Sequence, residues 1–328
     1  MRIVYLCYWD LASRDGVARK IEGQAQLWRE AGHEADVVSI RPGERRGATR
    51  AAVSAIERLI PDLLYLRYDL FLPPVWRLVR ALPTVVEVNT DDRAEMRLRG
   101  SAPRAWNVLN RRWLFGGSPG VVCVTRELAG SFGGRVEVVA NGADPDAVPT
   151  LPAPANERPR AVFVGSPGMP WHGVDRLLEL AGALPEMDFD LVGPEPGSVP
   201  ANVSVHGRLD GDAYWAVLAR ADIAFGSLAM ERAGLREGCP LKVREYLLAG
   251  LPTVIAHEDT DFPGELPWYL ARYGGADQVR RFVEAVRGRR APRDELEARL
   301  SWRTKEAARL AFFEQVLAYH VPVSDTGR

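Results

Sequence analysis

The chain has 328 residues, of which 47% are hydrophobic and 26% charged, and its formal net charge is −1. This length suits two domains of ordinary size, and the charge balance excludes the basic excess that a nucleic-acid-binding protein needs. Three scattered cysteines, Cys7, Cys123 and Cys239, match no metal-ligand spacing and argue against a disulfide scaffold. Because no leader segment and no membrane-spanning apolar run is recognisable, we expect a cytoplasmic protein.

The first half of the chain alternates between predicted strands and helices. Short apolar runs of strand length occupy residues 3–8, 35–40, 63–68, 84–88, 120–125 and 136–140. A helical apolar stripe from Val17 to Ala31 joins the first two, and Gly16 before it would let the backbone approach a ligand. This opening is Rossmann-like. Residues 41–50, with four arginines, are predicted to be a solvated loop.

Residues 93–115 combine arginines with aromatic and aliphatic side chains, and two interpretations stay open. The segment contains Arg93, Arg97, Arg99, Arg104, Arg111 and Arg112, interleaved with Trp106, Leu109, Trp113, Leu114 and Phe115. One interpretation is an amphipathic basic helix in peripheral contact with an anionic membrane, on its cytoplasmic face. The other is a crossover helix with a solvated arginine face and a core tryptophan face.

The strand–helix pattern restarts after a proline-rich stretch, residues 145–160, which we interpret as a linker. Predicted strands follow at residues 161–165, 189–192, 203–206, 222–225 and 252–256, separated by predicted helices. The pattern indicates an α/β protein with two facing, doubly wound Rossmann-like domains, residues 1–150 and 151–305. Substrates are expected in the cleft between such domains.

The most informative stretch is Glu237-Gly-Cys-Pro-Leu-Lys-Val-Arg-Glu245. Pro240 suits the first position of a helix, and Gly250 suits the left-handed residue that ends one. The backbone N–H groups of Leu241, Lys242 and Val243 would then be free at the helix N-terminus, which attracts phosphate. Two carboxylates beside a phosphate site are suited to accept hydrogen bonds from ribose and sugar hydroxyls.

This stretch resembles the Glu-x7-Glu motif of the retaining GT-B glycosyltransferases of group 1, which use nucleotide-sugar donors. The resemblance implies that Glu237 approaches the donor sugar and that Glu245 holds the ribose. It also implies that Arg208 and Leu209 face the nucleotide base, and that the last helix, within residues 306–328, crosses back to the N-terminal domain. The family's acceptor-side histidine segment has no counterpart here, so Asn89 and Glu95 are the candidate substitutes.

The chain departs from the family at the start of the second domain. The family has Gly-Arg-x5-Lys-Gly, whose cations clamp the donor diphosphate, whereas this chain has Gly165-Ser166-x5-His172-Gly173. Charge-assisted hydrogen bonds are about twice as strong as neutral ones, so the loss must be compensated or donor binding suffers. We expect Lys242, Arg244 and the helix N-terminus to hold the diphosphate, with His172 as a hydrogen-bond donor.

The expected activity is transfer of a sugar from a nucleotide sugar to a hydroxyl of a sugar, lipid-linked or small-molecule acceptor. No metal is expected, because Asp259 and Asp261, which have a metal-binding spacing, are interpreted as part of a solvated loop. Three alternatives stay open: a nucleotide-sugar epimerase, a nicotinamide-dependent oxidoreductase, and a non-catalytic carbohydrate- or partner-binding protein. The oxidoreductase lacks its glycine-rich signature, since residues 9–16 contain one glycine.

Overall fold

The computed structural model describes residues 1–116, 120–264 and 266–319, without the side chains of Arg45, Arg46 and Leu98. The chain divides into two compact units. The first contains Met1–Ala140 and continues from Trp302, and the second is Asn141–Ser301. The last described helix therefore belongs to the first unit.

The first unit is built on a six-stranded parallel sheet. In chain order its strands are β1 Arg2–Cys7, β2 Glu34–Ser39, β3 Leu63–Arg67, β4 Thr84–Val88, β5 Gly120–Cys123 and β6 Val136–Val138, arranged β2-β1-β3-β4-β5-β6. Alternate residues of β1 point to opposite faces, and both sets are fully buried from Ile3 to Cys7, so helices cover both faces. Tyr5 packs against Trp28 on one helix and, through Tyr65, against Phe313 on another.

Seven α-helices belong to the described part of this unit: α1 Gly16–Glu30, α2 Arg45–Leu59, α3 Pro73–Ala81, α4 Asp92–Arg99, α5 Ser101–Gly116, α6 Arg126–Ala129 and the chain's last helix, Trp302–Tyr319. The prediction of a loop over residues 41–50 was wrong, because α2 begins at Arg45. The single helix predicted over residues 93–115 is broken at Gly100, whose φ of +117° lies outside the helical region.

The second unit repeats the same architecture. Its main sheet is parallel in the order β14-β12-β10-β7-β8-β9, and a short parallel pair, β11-β13, lies outside it. The strands are β7 Arg160–Val164, β8 Asp188–Val192, β9 Val203–Gly207, β10 Ile223–Phe225, β11 Glu237–Gly238, β12 Thr253–Val254, β13 Glu258–Asp259 and β14 Tyr269–Leu270.

Five α-helices belong to the described part of the second unit: α7 Val174–Ala183, α8 Gly211–Arg220, α9 Leu241–Leu248, α10 Ala276–Val286 and α11 Arg293–Leu300. One face of the sheet packs against α7 and α10, and the other against α8, α9 and α11. The proline-rich stretch interpreted as a linker packs into this unit, because Val148 and Leu151 are buried in its core. The α/β fold class with two doubly wound parallel sheets is thus confirmed. With α1 to α11 assigned, the last helix is α12.

Candidate functional site

Helix α9 carries the predicted phosphate-binding end. It begins at Leu241, one residue later than expected, with Pro240 as its N-cap, and Gly250 follows its end at φ +84°. The Val243 N–H donates to the Pro240 carbonyl at 3.0 Å, so the prediction that this N–H is free was wrong. The N–H groups of Leu241 and Lys242 have no acceptor in the described part of the chain. Two backbone donors therefore remain at this helix end.

Lys242 places its ammonium group in an unusual environment. The Nζ atom is inaccessible to solvent and has no hydrogen-bond partner among the described residues. It lies 3.9 Å from the centre of the Phe163 ring, which attracts a cation through its π electrons. Burial holds the pKa of Lys242 well below its usual range. A buried ammonium without an anion is costly, and this site supplies no carboxylate for it.

His172 lies beside Lys242, on a short 3-10 turn, Pro170–His172, that follows β7. Its Nδ1 atom is buried without a partner among the described residues. Burial, and secondarily the neighbouring Lys242, lowers the pKa of His172 to about 3, so the imidazole is neutral at physiological pH. A Cβ atom at Gly165 would lie 2.8 Å from Nδ1, which shows how closely the β7 loop approaches the ring.

The third basic group, His257, was not predicted from the sequence. Its Nδ1 lies 3.2 Å from the Ser227 carbonyl, and since a carbonyl only accepts, Nδ1 carries the proton. Its Nε2 is buried and has no partner in the described chain. Burial lowers the pKa of His257 to about 4, so the neutral ring leaves Nε2 as a bare acceptor. Gly238 packs against this ring: a Cβ there would lie 3.2 Å from Nε2.

His172, Lys242 and His257 form one electrostatic cluster, which we call the basic cluster. The Leu228 N–H donates to the His172 carbonyl at 3.1 Å and the adjacent Ser227 carbonyl accepts from His257, so the two histidines meet at one loop. The charge of Lys242 lowers the pKa of both. Each contributes a buried nitrogen without a partner among the described residues. Native proteins rarely leave such atoms unpaired, and three together indicate a ligand site. An anion with several oxygen atoms would pair with the Lys242 ammonium, and it would accept a hydrogen bond from either imidazole once the facing ring nitrogen carries a proton.

The two motif glutamates are beside this helix. Glu237 lies on β11 and is only 8% exposed, and Glu245 is half-buried on α9. One carboxylate oxygen of Glu245 accepts a hydrogen bond from the Tyr214 hydroxyl at 3.0 Å. Tyr214 thereby fixes the carboxylate of Glu245 in one orientation. Neither glutamate projects freely from the surface.

Other predicted donor-site residues lie on loops at the carboxyl ends of the strands. Ser166 is exposed after β7, and Arg208 is exposed after β9. Leu209 is half-buried and packs against the core of the second unit. The side chain of Val243 is fully buried in the same core, and Leu241 is half-buried.

Arg244 was expected to help hold a diphosphate, and this expectation was wrong. Its guanidinium is fully buried and bonds both carboxylate oxygens of Asp259, at 2.7 and 3.0 Å. A third contact, at 3.1 Å, joins it to Asp261. The interpretation of the two aspartates as a solvated loop was also wrong, since Asp259 is 2% exposed. Arg244 therefore cross-links the second unit, and no metal-binding cluster of His, Cys, Asp or Glu occurs among the described residues.

The remaining candidates lie in the first unit, where their polar atoms are largely engaged. Gly16 is the first residue of α1, and the Asp15 carboxylate caps this helix by accepting from the N–H groups of Val17 and Ala18. Asn89 accepts a hydrogen bond from Lys20 at 2.9 Å, while its Nδ2 is buried without a partner in the described chain. Glu95 accepts from Thr90 at 2.6 Å and pairs with Arg99.

Similar folds occur among solved structures. A sucrose-phosphate synthase from Thermosynechococcus elongatus is 14% identical, with a TM-score of 0.70 over 97% of this chain and 99% of that chain. HepE of Anabaena, solved with UDP and glucose, is 14% identical, with a TM-score of 0.59 over 95% and 99%. The catalytic domain of starch synthase IV from Arabidopsis thaliana, solved with ADP and acarbose, is 10% identical, with a TM-score of 0.62 over 97% and 99%.

These likenesses show that the chain has the fold of GT-B glycosyltransferases. No protein-family model matches the sequence. No curated protein matches it either. At this level of identity the fold is shared, and the activity has to be argued from the site itself.

Proposed function

We propose that this protein is a retaining glycosyltransferase that uses a nucleoside diphosphate sugar as donor. The observation that carries the proposal is the basic cluster, in which Lys242 at the start of α9 and two buried histidines each leave a nitrogen without a partner in the described chain. A diphosphate would be the anionic partner that the Lys242 ammonium lacks in the described chain. It would also accept hydrogen bonds from the free N–H groups of Leu241 and Lys242. The fold shared with nucleotide-sugar enzymes supports the same choice.

In the proposed reaction the acceptor hydroxyl attacks the sugar on the face from which the diphosphate leaves. Lys242 and the α9 N-terminus stabilise the negative charge that develops on the leaving phosphate. His172, neutral in the free protein, becomes protonated or donates its N–H to the phosphate. Glu237 binds the sugar and Glu245, oriented by Tyr214, binds the ribose hydroxyls. We propose that no metal takes part, since Lys242 and the N-terminus of α9 offset part of the phosphate charge.

A thermal-shift screen against UDP-, GDP-, ADP- and dTDP-sugars identifies the donor. Saturation at about one hundred times the dissociation constant stabilises the folded protein by about 2.7 kcal/mol. The matched variants are Glu245→Ala, which removes the proposed ribose acceptor, and Glu231→Ala, which removes a carboxylate paired with Arg176. We expect the donor-induced shift to be lost in the first variant and retained in the second. Equal shifts in both would contradict the assignment of Glu245.

The retaining outcome has its own test. With the identified donor and a panel of sugar acceptors, proton NMR reports the anomeric configuration of the product at the earliest times. We expect the product to keep the configuration of the donor. An inverted product would remove the retaining assignment, and conversion of the donor sugar without any acceptor would indicate an epimerase. Binding without transfer or hydrolysis would indicate a non-catalytic binding protein.

We propose as the acceptor a hydroxyl on a sugar, a lipid-linked glycan or a small molecule, with Asn89 on the acceptor side because its buried Nδ2 has no partner in the described chain. Peripheral membrane contact through residues 93–115 would favour the lipid-linked acceptor. No helix in the described part of the chain is long and apolar enough to span a membrane.

A further inference from the structure

Exposed apolar side chains are concentrated on one helix of the first unit. In the described chain eight large hydrophobic side chains are exposed, and α5 carries four of them: Trp106, Val108, Leu109 and Trp113, at 42, 65, 65 and 51%. The helix buries only Asn107 and Leu114. A helix of a globular protein normally buries its apolar side chains against the core. Helix α5 instead exposes most of its large apolar side chains to its surroundings.

Helix α3 extends this apolar surface. The indole N–H of Trp76 on α3 donates to the Trp113 carbonyl at 3.1 Å, and that of Trp106 donates to the Phe71 carbonyl at 2.9 Å. Because these polar atoms are paired with backbone, the accessible part of both rings is apolar. The hydrogen bonds also fix the rings, so a partner would meet a prearranged surface.

Cations flank the apolar side chains, and no carboxylate interrupts them. Helices α3 and α5 contain no Asp or Glu. Four exposed arginines on these helices have no ion pair with any residue in the described ranges: Arg77, Arg80, Arg104 and Arg112. The nearby acids are already neutralised, since Arg111 pairs with Asp92, and Arg99 pairs with both Asp69 and Glu95. The outward surface of α3 and α5, here named the α3–α5 face, is therefore apolar and positively charged.

We propose that the α3–α5 face docks on a lipid bilayer that contains anionic phospholipids. Helix α5, about 24 Å long, would lie in the plane of the interface with Val108 and Leu109 in the acyl region. Tryptophan rings prefer the headgroup level, where Trp106 and Trp113 would lie. The arginines then meet lipid phosphates. Docking needs neither donor nor transfer, so it goes beyond the proposed function and fails or succeeds separately from it.

Two other occupants fit the surface less well. In a symmetric dimer through this face, the same unpaired arginines of both copies would face each other and repel. A nucleic acid would satisfy the arginines, but Val108 and Leu109 offer neither charge nor hydrogen bonds to its phosphates. The bilayer is the partner that uses both the aliphatic side chains and the cations.

Vesicle flotation of the full chain tests the proposal. We expect the protein to float with vesicles of phosphatidylcholine plus phosphatidylglycerol and to remain unbound with phosphatidylcholine alone. High salt should weaken the binding, because the lipid charge is then screened. No flotation with either vesicle, or equal flotation with both, would overturn the proposal. A dimer that light scattering detects and that Leu109→Ser dissociates would also overturn it. So would tighter binding of this face to an oligonucleotide than to the vesicles.

Matched variants assign the binding to this face. Val108→Ser with Leu109→Ser should abolish flotation, whereas Ile60→Ser with Val205→Ser, which removes two exposed aliphatic side chains elsewhere, should retain it. Arg104→Gln with Arg112→Gln should weaken partitioning by about fivefold for each arginine removed. Arg281→Gln with Arg289→Gln makes the same charge change on exposed residues of the second unit and should have little effect. Circular dichroism verifies that each variant is folded, and equal losses in test and control pairs would overturn the proposal.

Discussion

Two buried groups of charged or basic side chains, one in each unit, differ in whether their cations have partners. In the first unit Glu87 on β4 is fully buried and is contacted by Lys20 at 2.8 Å, Arg67 at 3.1 Å and the Tyr5 hydroxyl at 3.0 Å. Arg309 of α12 extends this network to Glu306 and to the Tyr65 hydroxyl. Every cation in it has an acidic partner.

In the second unit the basic cluster buries an ammonium and two imidazoles. The ammonium, Lys242 Nζ, has neither an acid nor another hydrogen-bond acceptor among the described residues. This difference separates a structural role from a ligand-binding role. A network whose members satisfy one another stabilises the fold and fixes α12 on the sheet. A group of buried nitrogens left unpaired costs stability, and it is retained where a ligand completes it.

The largest expected effect comes from breaking the complete network. Glu87→Gln removes the carboxylate that Lys20, Arg67 and Arg309 share, which should cost about 3–5 kcal/mol. Native-state hydrogen exchange of the β4 amides measures this loss within the first unit. As a control, Glu258→Gln removes one partner of an exposed pair with Arg272 and should cost less than about 1 kcal/mol. Similar losses of unfolding free energy in the two variants would mean that the Glu87 network stabilises the fold no more than an exposed ion pair does.

A pair of lysine variants compares the two groups of buried charges directly. Lys242→Met removes an unsatisfied buried ammonium and should raise the unfolding free energy by about 1–3 kcal/mol. Lys20→Met makes the same chemical change but removes a partner of Glu87, so it should lower the unfolding free energy. Equilibrium urea unfolding measures both. If Lys242→Met destabilises as Lys20→Met does, Lys242 has a structural partner and the contrast between the units disappears.

A smaller effect is expected on the pH dependence of stability. His172 and His257 have folded pKa values of about 3 and about 4, below the ordinary value of 6.5. As the pH falls from 6.5 toward 4, the unfolded chain therefore binds protons that the folded chain does not, and stability falls. Each histidine contributes at most about 1.4 kcal/mol per pH unit.

His257→Asn tests this assignment, because the asparagine amide retains the donation to Ser227 without the titration. The difference in unfolding free energy between wild type and variant isolates the histidine from the carboxylates that titrate in the same range. We expect the variant to lose stability less steeply on acidification. Parallel pH profiles would contradict the buried, neutral state of His257.

Local pattern was sufficient to predict much of this molecule. The apolar run at residues 84–88 coincides with β4, and Gly250 has the predicted left-handed conformation after α9. The start of helix α2 was not predicted, because the arginines and glycines of residues 41–50 are typical of a solvated loop. Arg244 pairs with Asp259, and His257 takes its position, because the sheets bring β11, β12 and β13 together. A short stretch of sequence does not show which strands will be neighbours. The candidate site was therefore predictable where one helix builds it and not where the sheet brings distant residues together.

Titration calorimetry with UDP, GDP, ADP and dTDP most directly tests whether the basic cluster is a diphosphate site. Wild-type protein should bind one of these nucleotides at a single site. Lys242→Met should bind it about ten to one hundred times more weakly, since a hydrogen bond to a charged group contributes about 1.5–3 kcal/mol. Arg281→Gln, a charge change on an exposed residue, should bind with wild-type affinity. Absence of binding by all four nucleotides, or unchanged affinity in Lys242→Met, would contradict the assignment.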